Sequence, residues 1–192
     1  MTSAQIIYTR EQIQARVEEL ARTLRADLGR ERPLLLAVLK GSVIFLADLV
    51  RAMGTDDPDV DFMSISSYPG AAAHTGVVRI IKDSEMPLYS RHVVLIEDIV
   101  DTGLTLAFLL NTLKMRQPAS LRVCTFINKQ QRRIVEPRID YVGFETDDYV
   151  VGYGLDFKGR YRNLPHVVAV EDSDVLASSP RLLDELFSDA AR

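Results

Sequence analysis

Short unbroken apolar runs alternate with amphipathic helical stretches through the first two thirds of this chain, and that alternation constrains its fold most. "PLLLAVL" (33–39), "VDFMSISSY" (60–68), "VVRII" (77–81), "HVVLI" (92–96) and "SLRVCTFI" (120–127) read as strands. Strands without polar alternation are buried on both faces, which calls for helices on both sides of a mainly parallel sheet. Helices fit between them. Thr9-Arg10-Glu11-Gln12 has the form of a capping box, followed by Ile13, Val17, Leu20, Leu24 and Leu28 at helical spacing, with Gly29 as the stop,. "VIFLADLVRAM" (43–53) ends at Gly54, and "TLAFLLNTLKM" (105–115) places Leu106, Leu109, Leu110 and Leu113 on one face. Shorter strands are expected at 140–144, 149–153 and 166–170, and a C-terminal helix at 180–187. The expected architecture is α/β, a mainly parallel twisted sheet flanked by helices, in a single domain over residues 1–192,.

No run approaches the ~20 apolar residues of a membrane span, and "MTSAQIIYTR" lacks the pattern of a secretory signal,. The single cysteine, Cys124, cannot form an internal disulfide and reads as a small core residue, so a cytoplasmic setting is expected,. A net charge of −4 argues against nucleic acid as the main partner,. His74, His92 and His166 match no zinc-ligand spacing,.

The stretch "VVLIEDIVDTGLTL" (93–106) carries the chemistry. Val93 to Ile96 fill the sheet, Glu97 and Asp98 stand at its carboxyl edge, and Asp101 to Thr105 turn into the next helix. Ligands of such sheets sit at the carboxyl ends of the strands. A helix start offers unpaired N–H groups and a partial positive charge to a phosphate. Gly103 allows close backbone approach, and Thr102 and Thr105 add hydroxyl donors. The carboxylates repel a phosphate and suit sugar hydroxyls, a metal or a proton. The whole reads as a site for a ribose phosphate. Taken alone, Asp-Thr-Gly is more often a helix cap than a site. In aspartic proteases it comes in two copies and an all-β setting, whereas here one copy precedes a helix. Response-regulator receivers have acidic strand ends but no Asp-Thr-Gly at the helix start.

The full stretch resembles the phosphoribosyl-pyrophosphate (PRPP) motif of type I phosphoribosyltransferases, and its acidic form with Asp101 resembles the 6-oxopurine branch. "LKGS" (39–42) is similar to the family's pyrophosphate loop, "SSY" (66–68) to the start of its lid, and "VVGYGLDFKGRYRNLP" (150–165) to its purine and metal segment. The resemblance spans about residues 10–170. It implies the type I fold with a small hood from the chain ends, and a flexible lid over 67–76 based on Ser67 and Tyr68. The implied reaction joins PRPP to N9 of hypoxanthine or guanine, giving IMP or GMP and pyrophosphate.

Roles follow from the resemblance residue by residue. Glu97 and Asp98 engage the ribose hydroxyls and, with Asp156, Mg²⁺. Asp101 takes the proton from purine N7, and the turn through Thr102, Gly103, Leu104 and Thr105 holds the 5′-phosphate. Leu39, Lys40, Gly41, Ser42 and Arg162 receive pyrophosphate, with a peptide before Lys40 that is often cis in the family. Lys129 is a donor only and so selects the O6 acceptor of a 6-oxopurine over the amino group of adenine. Tyr149 stacks on the base where the family often has Phe, and the Val150 backbone bonds the purine edge. Arg132 and Arg133 receive no role. A homodimer or homotetramer is implied, with no nucleic-acid or membrane partner. The competing readings are a uracil-type enzyme, which usually lacks an acid where Asp101 stands, and a PRPP-sensing regulator that binds nucleic acid.

Overall fold

The computed structural model describes residues 4–28, 31–67, 78–170 and Leu176. Gly29, the lid beyond Ser67 and the helix expected at 180–187 lie outside the described residues. In chain order the elements are β1 (Ala4–Tyr8), α1 (Arg10–Leu28), β2 (Leu34–Leu39), α2 (Val43–Ala52), β3 (Asp59–Ser67) and β4 (Val78–Lys82). There follow β5 (His92–Val100), α3 (Leu104–Lys114), β6 (Ser120–Asn128), β7 (Tyr141–Glu145), β8 (Tyr149–Val151) and β9 (Val167–Val170).

The main sheet has the order β4-β3-β2-β5-β6-β7. All its pairings are parallel except that of β4 with β3. Numbered among themselves, the five parallel strands run 2-1-3-4-5, a doubly wound order whose chain reverses direction between the first and third strands. Here that reversal lies between β2 and β5. The central strand β2 serves two cores in alternation. Leu35 and Ala37 of β2 pack with Ile13, Val17, Leu20 and Leu24 of α1 and Phe45 and Leu49 of α2. Leu34, Leu36 and Val38 pack with Leu106, Leu109, Leu110 and Leu113 of α3. Double burial explains the unbroken apolar runs. Cys124 is fully buried in the first core, and desolvation pushes its thiol pKa up.

The capping box forms as expected. The Thr9 amide donates to Gln12 Oε1 at 2.8 Å and the Gln12 amide to Thr9 Oγ1 at 3.3 Å. A separate antiparallel sheet, β1-β9-β8, joins the beginning and end of the described chain and makes the expected hood. Two expectations are corrected. β1 reads as no element in sequence, because its five residues lack a long apolar run and depend on β9 for pairing. The strand expected at 149–153 ends at Val151, because Gly152, Tyr153 and Gly154 take positive φ values of 98°, 50° and 96° and curl the chain away.

Candidate active site

The carboxyl ends of β2 and β5 open onto a cleft of about 280 Å³ lined by Leu39, Lys40, Gly41, Glu97, Asp98, Asp101, Thr102, Gly103, Thr105, Asp156 and Arg162, among others. Residues from four stretches of sequence meet there because the sheet reverses there. A larger groove of about 530 Å³ lies along α1 and α2 and shares Arg162, but it lacks the Glu97–Asp98 pair.

The turn after β2 is shaped to meet β5. The Leu39–Lys40 peptide is cis, as the resemblance implies. A β-carbon on Gly41 would lie 1.5 Å from Asp98 Oδ2, so only glycine lets the loop rest against that carboxylate. Across the loop, a β-carbon on Gly154 would lie 2.1 Å from Gly41 O. Ser42 does not line the cleft. It is fully buried, and its hydroxyl donates to Val38 O at 2.5 Å, which ties the turn to its own strand.

Glu97 and Asp98 sit in a poorly hydrated corner. Glu97 is only 6% exposed. Burial, then the adjacent Asp98 charge, raises its pKa well above the carboxylate range. Burial also lifts Asp98 to about 6, opposed by hydrogen bonds from the Ile99 and Asp98 backbone and by the Arg162 charge. Arg162 in turn pairs with Asp156 at 2.6 Å and donates to Gly154 O at 2.5 Å.

The turn from Asp101 to Thr105 is braced from behind. Gly103 has φ 81°, and a β-carbon there would lie 2.3 Å from Val135 O. The Ile134 and Val135 amides donate to Thr102 O at 2.9 and 3.2 Å. The first helical amide bond runs from Ala107 to Gly103 O at 2.9 Å, so the amides ahead of it open the helix toward the cleft,. Leu104 does not line the cleft; its amide lies 3.4 Å from Thr102 Oγ1. Asp101 Oδ1 is buried with no hydrogen-bond partner among the described residues, while Oδ2 pairs with Arg132 at 3.3 Å.

Lys129, Tyr149 and Val150 lie beyond this cleft, on the Asp101 side. The Lys129 amide donates to Val100 O at 2.9 Å, and Nζ to Asp148 O at 2.5 Å, the carbonyl just before Tyr149. Burial lowers the Lys129 pKa, and Asp101 is the foremost of the charges that oppose the shift. Tyr149 is 37% exposed, its ring edge-on to Phe157 at 6.3 Å. Val150 belongs to β8, an edge strand of the hood, and an edge keeps backbone donors and acceptors free on one side. Ser67 ends β3, while Tyr68 lies outside the described residues. Sequence reasoning leaves Arg132 and the brace at Ile134 and Val135 without roles. The only signal is the basic, apolar run "QQRRIV".

Among the described residues, no three ligating side chains converge as a metal cage. The donor set nevertheless fits Mg²⁺, which takes one or two carboxylates and completes its shell with substrate phosphates and water. The raised pKa values of Glu97 and Asp98, due first to burial, mark two acids whose ionised forms a dication would favour.

Comparison with known proteins agrees with this geometry. A family profile for the phosphoribosyl transferase domain matches residues 3–158. The chain is 45% identical over 170 residues to a Mycobacterium avium hypoxanthine-guanine phosphoribosyltransferase, covering 84% of this chain and 83% of that one. It is 40% identical over 168 residues to the protein of that name from Streptococcus mutans, covering 87% and 93%. A solved Bacillus anthracis hypoxanthine-guanine phosphoribosyltransferase superposes with TM-score 0.82 at 40% identity over 86% of this chain and 97% of that one. A Trypanosoma cruzi hypoxanthine phosphoribosyl transferase superposes with TM-score 0.85 at 35% identity over 92% and 95%. A buried acid pair at the sheet reversal, a glycine-opened helix behind it and relatives of this closeness lead to one conclusion: the chain belongs to the phosphoribosyltransferase family, in its hypoxanthine-guanine branch.

Proposed function

We propose that this chain transfers the 5-phosphoribosyl group of PRPP to N9 of hypoxanthine or guanine, giving IMP or GMP and pyrophosphate in purine salvage. The observation that carries the reading is Asp101. Its Oδ1 is buried without a hydrogen-bond partner among the described residues. It follows the Glu97–Asp98 pair and precedes the helix that would hold the 5′-phosphate. A carboxylate oxygen so placed can accept the N7 proton as N9 bonds to C1′ and the C1′–O bond to pyrophosphate breaks. Positive charge develops on the ribose beside Glu97 and Asp98. Negative charge grows on the departing pyrophosphate, which Lys40, the Leu39 and Gly41 backbone and Arg162 would receive.

Glu97, Asp98 and Asp156 would hold Mg²⁺, which supplies charge neutralisation for the leaving pyrophosphate when bound. Lys129 donates to O6 of the base, Tyr149 stacks on it, and the Val150 edge reads its rim. Ser67 and Tyr68 form the lid base. Ser42 and Leu104 act in this reading by holding their turns rather than by touching ligand. The protein is taken as a cytoplasmic homodimer or homotetramer. The single buried cysteine supports that compartment, and no described helix is long and apolar enough to cross a membrane.

The test is product formation from PRPP and hypoxanthine, guanine or xanthine with Mg²⁺. IMP or GMP with stoichiometric pyrophosphate is expected, and no nucleotide from any of the three bases would overturn the reading. The uracil-type and nucleic-acid regulator readings are not favoured, because Asp101 is present and the relatives are named as hypoxanthine-guanine enzymes.

A further inference from the structure

We propose that Arg133 is a positioning residue for base recognition, a clamp that aims Lys129. The inference rests on the reading of Lys129 as the base-selecting donor.

Arg133 lies four residues beyond Lys129, where the chain has turned back under the phosphate loop. Its Nη2 donates to Lys129 O at 2.6 Å and also to Asn128 Oδ1. Asn128 is itself fixed, for it ends β6, is 5% exposed, and donates through Nδ2 to Glu145 Oε1 on β7 at 3.2 Å. Lys129 is thereby held on both sides of its Cα, its amide on Val100 O at 2.9 Å and its carbonyl on Arg133. With the main chain pinned, the ammonium is confined to what its own rotamers reach, on the side of Asp148 O and Asp101. A held backbone fixes the point from which the lysine stem starts, so main-chain movement does not carry Nζ away from the base.

The clamp acts on one half of the site. The phosphate turn is braced separately, by the Ile134 and Val135 amides on Thr102 O. A clamp on Lys129 thus differs in its signature from a general support of the loop. Both Arg133 bonds run from Nη2, while Nε and Nη1 are buried with no hydrogen-bond partner among the described residues. Lysine cannot replace the guanidinium fully, since its ammonium sits on a shorter, flexible stem and must reach both acceptors at once.

The test compares steady-state kinetics of Arg133→Met, Lys129→Ala and the double variant, with the base and PRPP varied in turn. Arg133→Met is expected to raise KM for hypoxanthine and guanine about 10-fold or more, the scale of a lost charge-assisted hydrogen bond, with KM for PRPP changed less than about 3-fold. The double variant is expected to be no worse than Lys129→Ala alone, because a clamp without its lysine has nothing to aim. Equal rises in both KM values would make Arg133 a mere prop of the loop and overturn the proposal. So would a double variant whose losses multiply, or an unchanged base KM in Arg133→Met while Lys129→Ala raises it. An unchanged base KM in Lys129→Ala would instead remove the underlying role of Lys129. If Arg133→Met does not fold, Arg133→Lys carries the same test, with a smaller rise in base KM expected and an unchanged base KM overturning the proposal.

Discussion

Gly41 abuts the carboxylate of Asp98 so closely that a first side-chain carbon would fall 1.5 Å from Oδ2. The loop at Gly41 and the Asp98 carboxylate are therefore one steric unit. Gly41→Ala should fold, since the displaced atoms belong mostly to the end of a side chain. It should also push the Asp98 carboxylate out of place. Loss of about 10-fold or more in kcat/KM for PRPP is expected, the scale of an ångström-sized misplacement. The thermal midpoint should stay near wild type. Wild-type kinetics in this variant would show that the contact has no bearing on turnover.

Asp101→Asn keeps the shape of the turn and removes the carboxylate proposed to accept the proton. The forward rate should fall by about 100-fold or more, while PRPP affinity, measured by calorimetry, changes little because the backbone amides remain. Turnover near wild type would remove Asp101 from the role of base.

Lys129→Ala should cost about 1.5–3 kcal/mol in transition-state binding of 6-oxopurines, seen in kcat/KM with hypoxanthine and guanine. PRPP binding should be spared, because Lys129 lies beyond the cleft that Glu97 and Asp98 line. Unchanged kinetics with both bases would make Lys129 a structural lysine held on Asp148.

The acid pair makes ligand-free stability depend on pH. Asp98 is pushed up to about 6 from 3.8, and Glu97 lies well above its usual value, both chiefly by burial. Each raised group binds a proton in the folded state that the unfolded chain has already released. Its contribution is full below the unfolded pKa and is lost as pH rises through the folded one. The difference in thermal midpoint, wild type minus Asp98→Asn, should therefore become more negative as pH rises from about 4 to about 7. Scanning calorimetry of the ligand-free proteins checks this. A difference that stays flat across the range would refute it.

Much of this arrangement is legible in the sequence, because local chemistry dictates it. The capping box, the doubly buried strands and the acid-to-helix transition at 97–105 each depend on neighbours in the chain. The cleft then follows from placing strand ends together. Other features depend on distant partners. Ser42 reads as a loop hydroxyl in "LKGS", yet it is buried because its short helical turn folds back on Val38. Arg133 receives no role from sequence, because its acceptors line up only once the loop after β6 doubles under Thr102. β1 is silent until β9 supplies its hydrogen bonds.

The lateral neighbours β2 and β5 enclose β3 and β4 between them along the chain. A fragment ending before residue 92 would carry Lys40 and Gly41 but none of the carboxylates of β5. One beginning at residue 92 would carry the carboxylates with no loop to meet them. Substrate recognition thus belongs to no segment and arises only when the interior pairing closes. A bound ligand must then hold the whole sheet shut. Protection by PRPP should reach amides throughout the parallel core, including those of strands that never touch it.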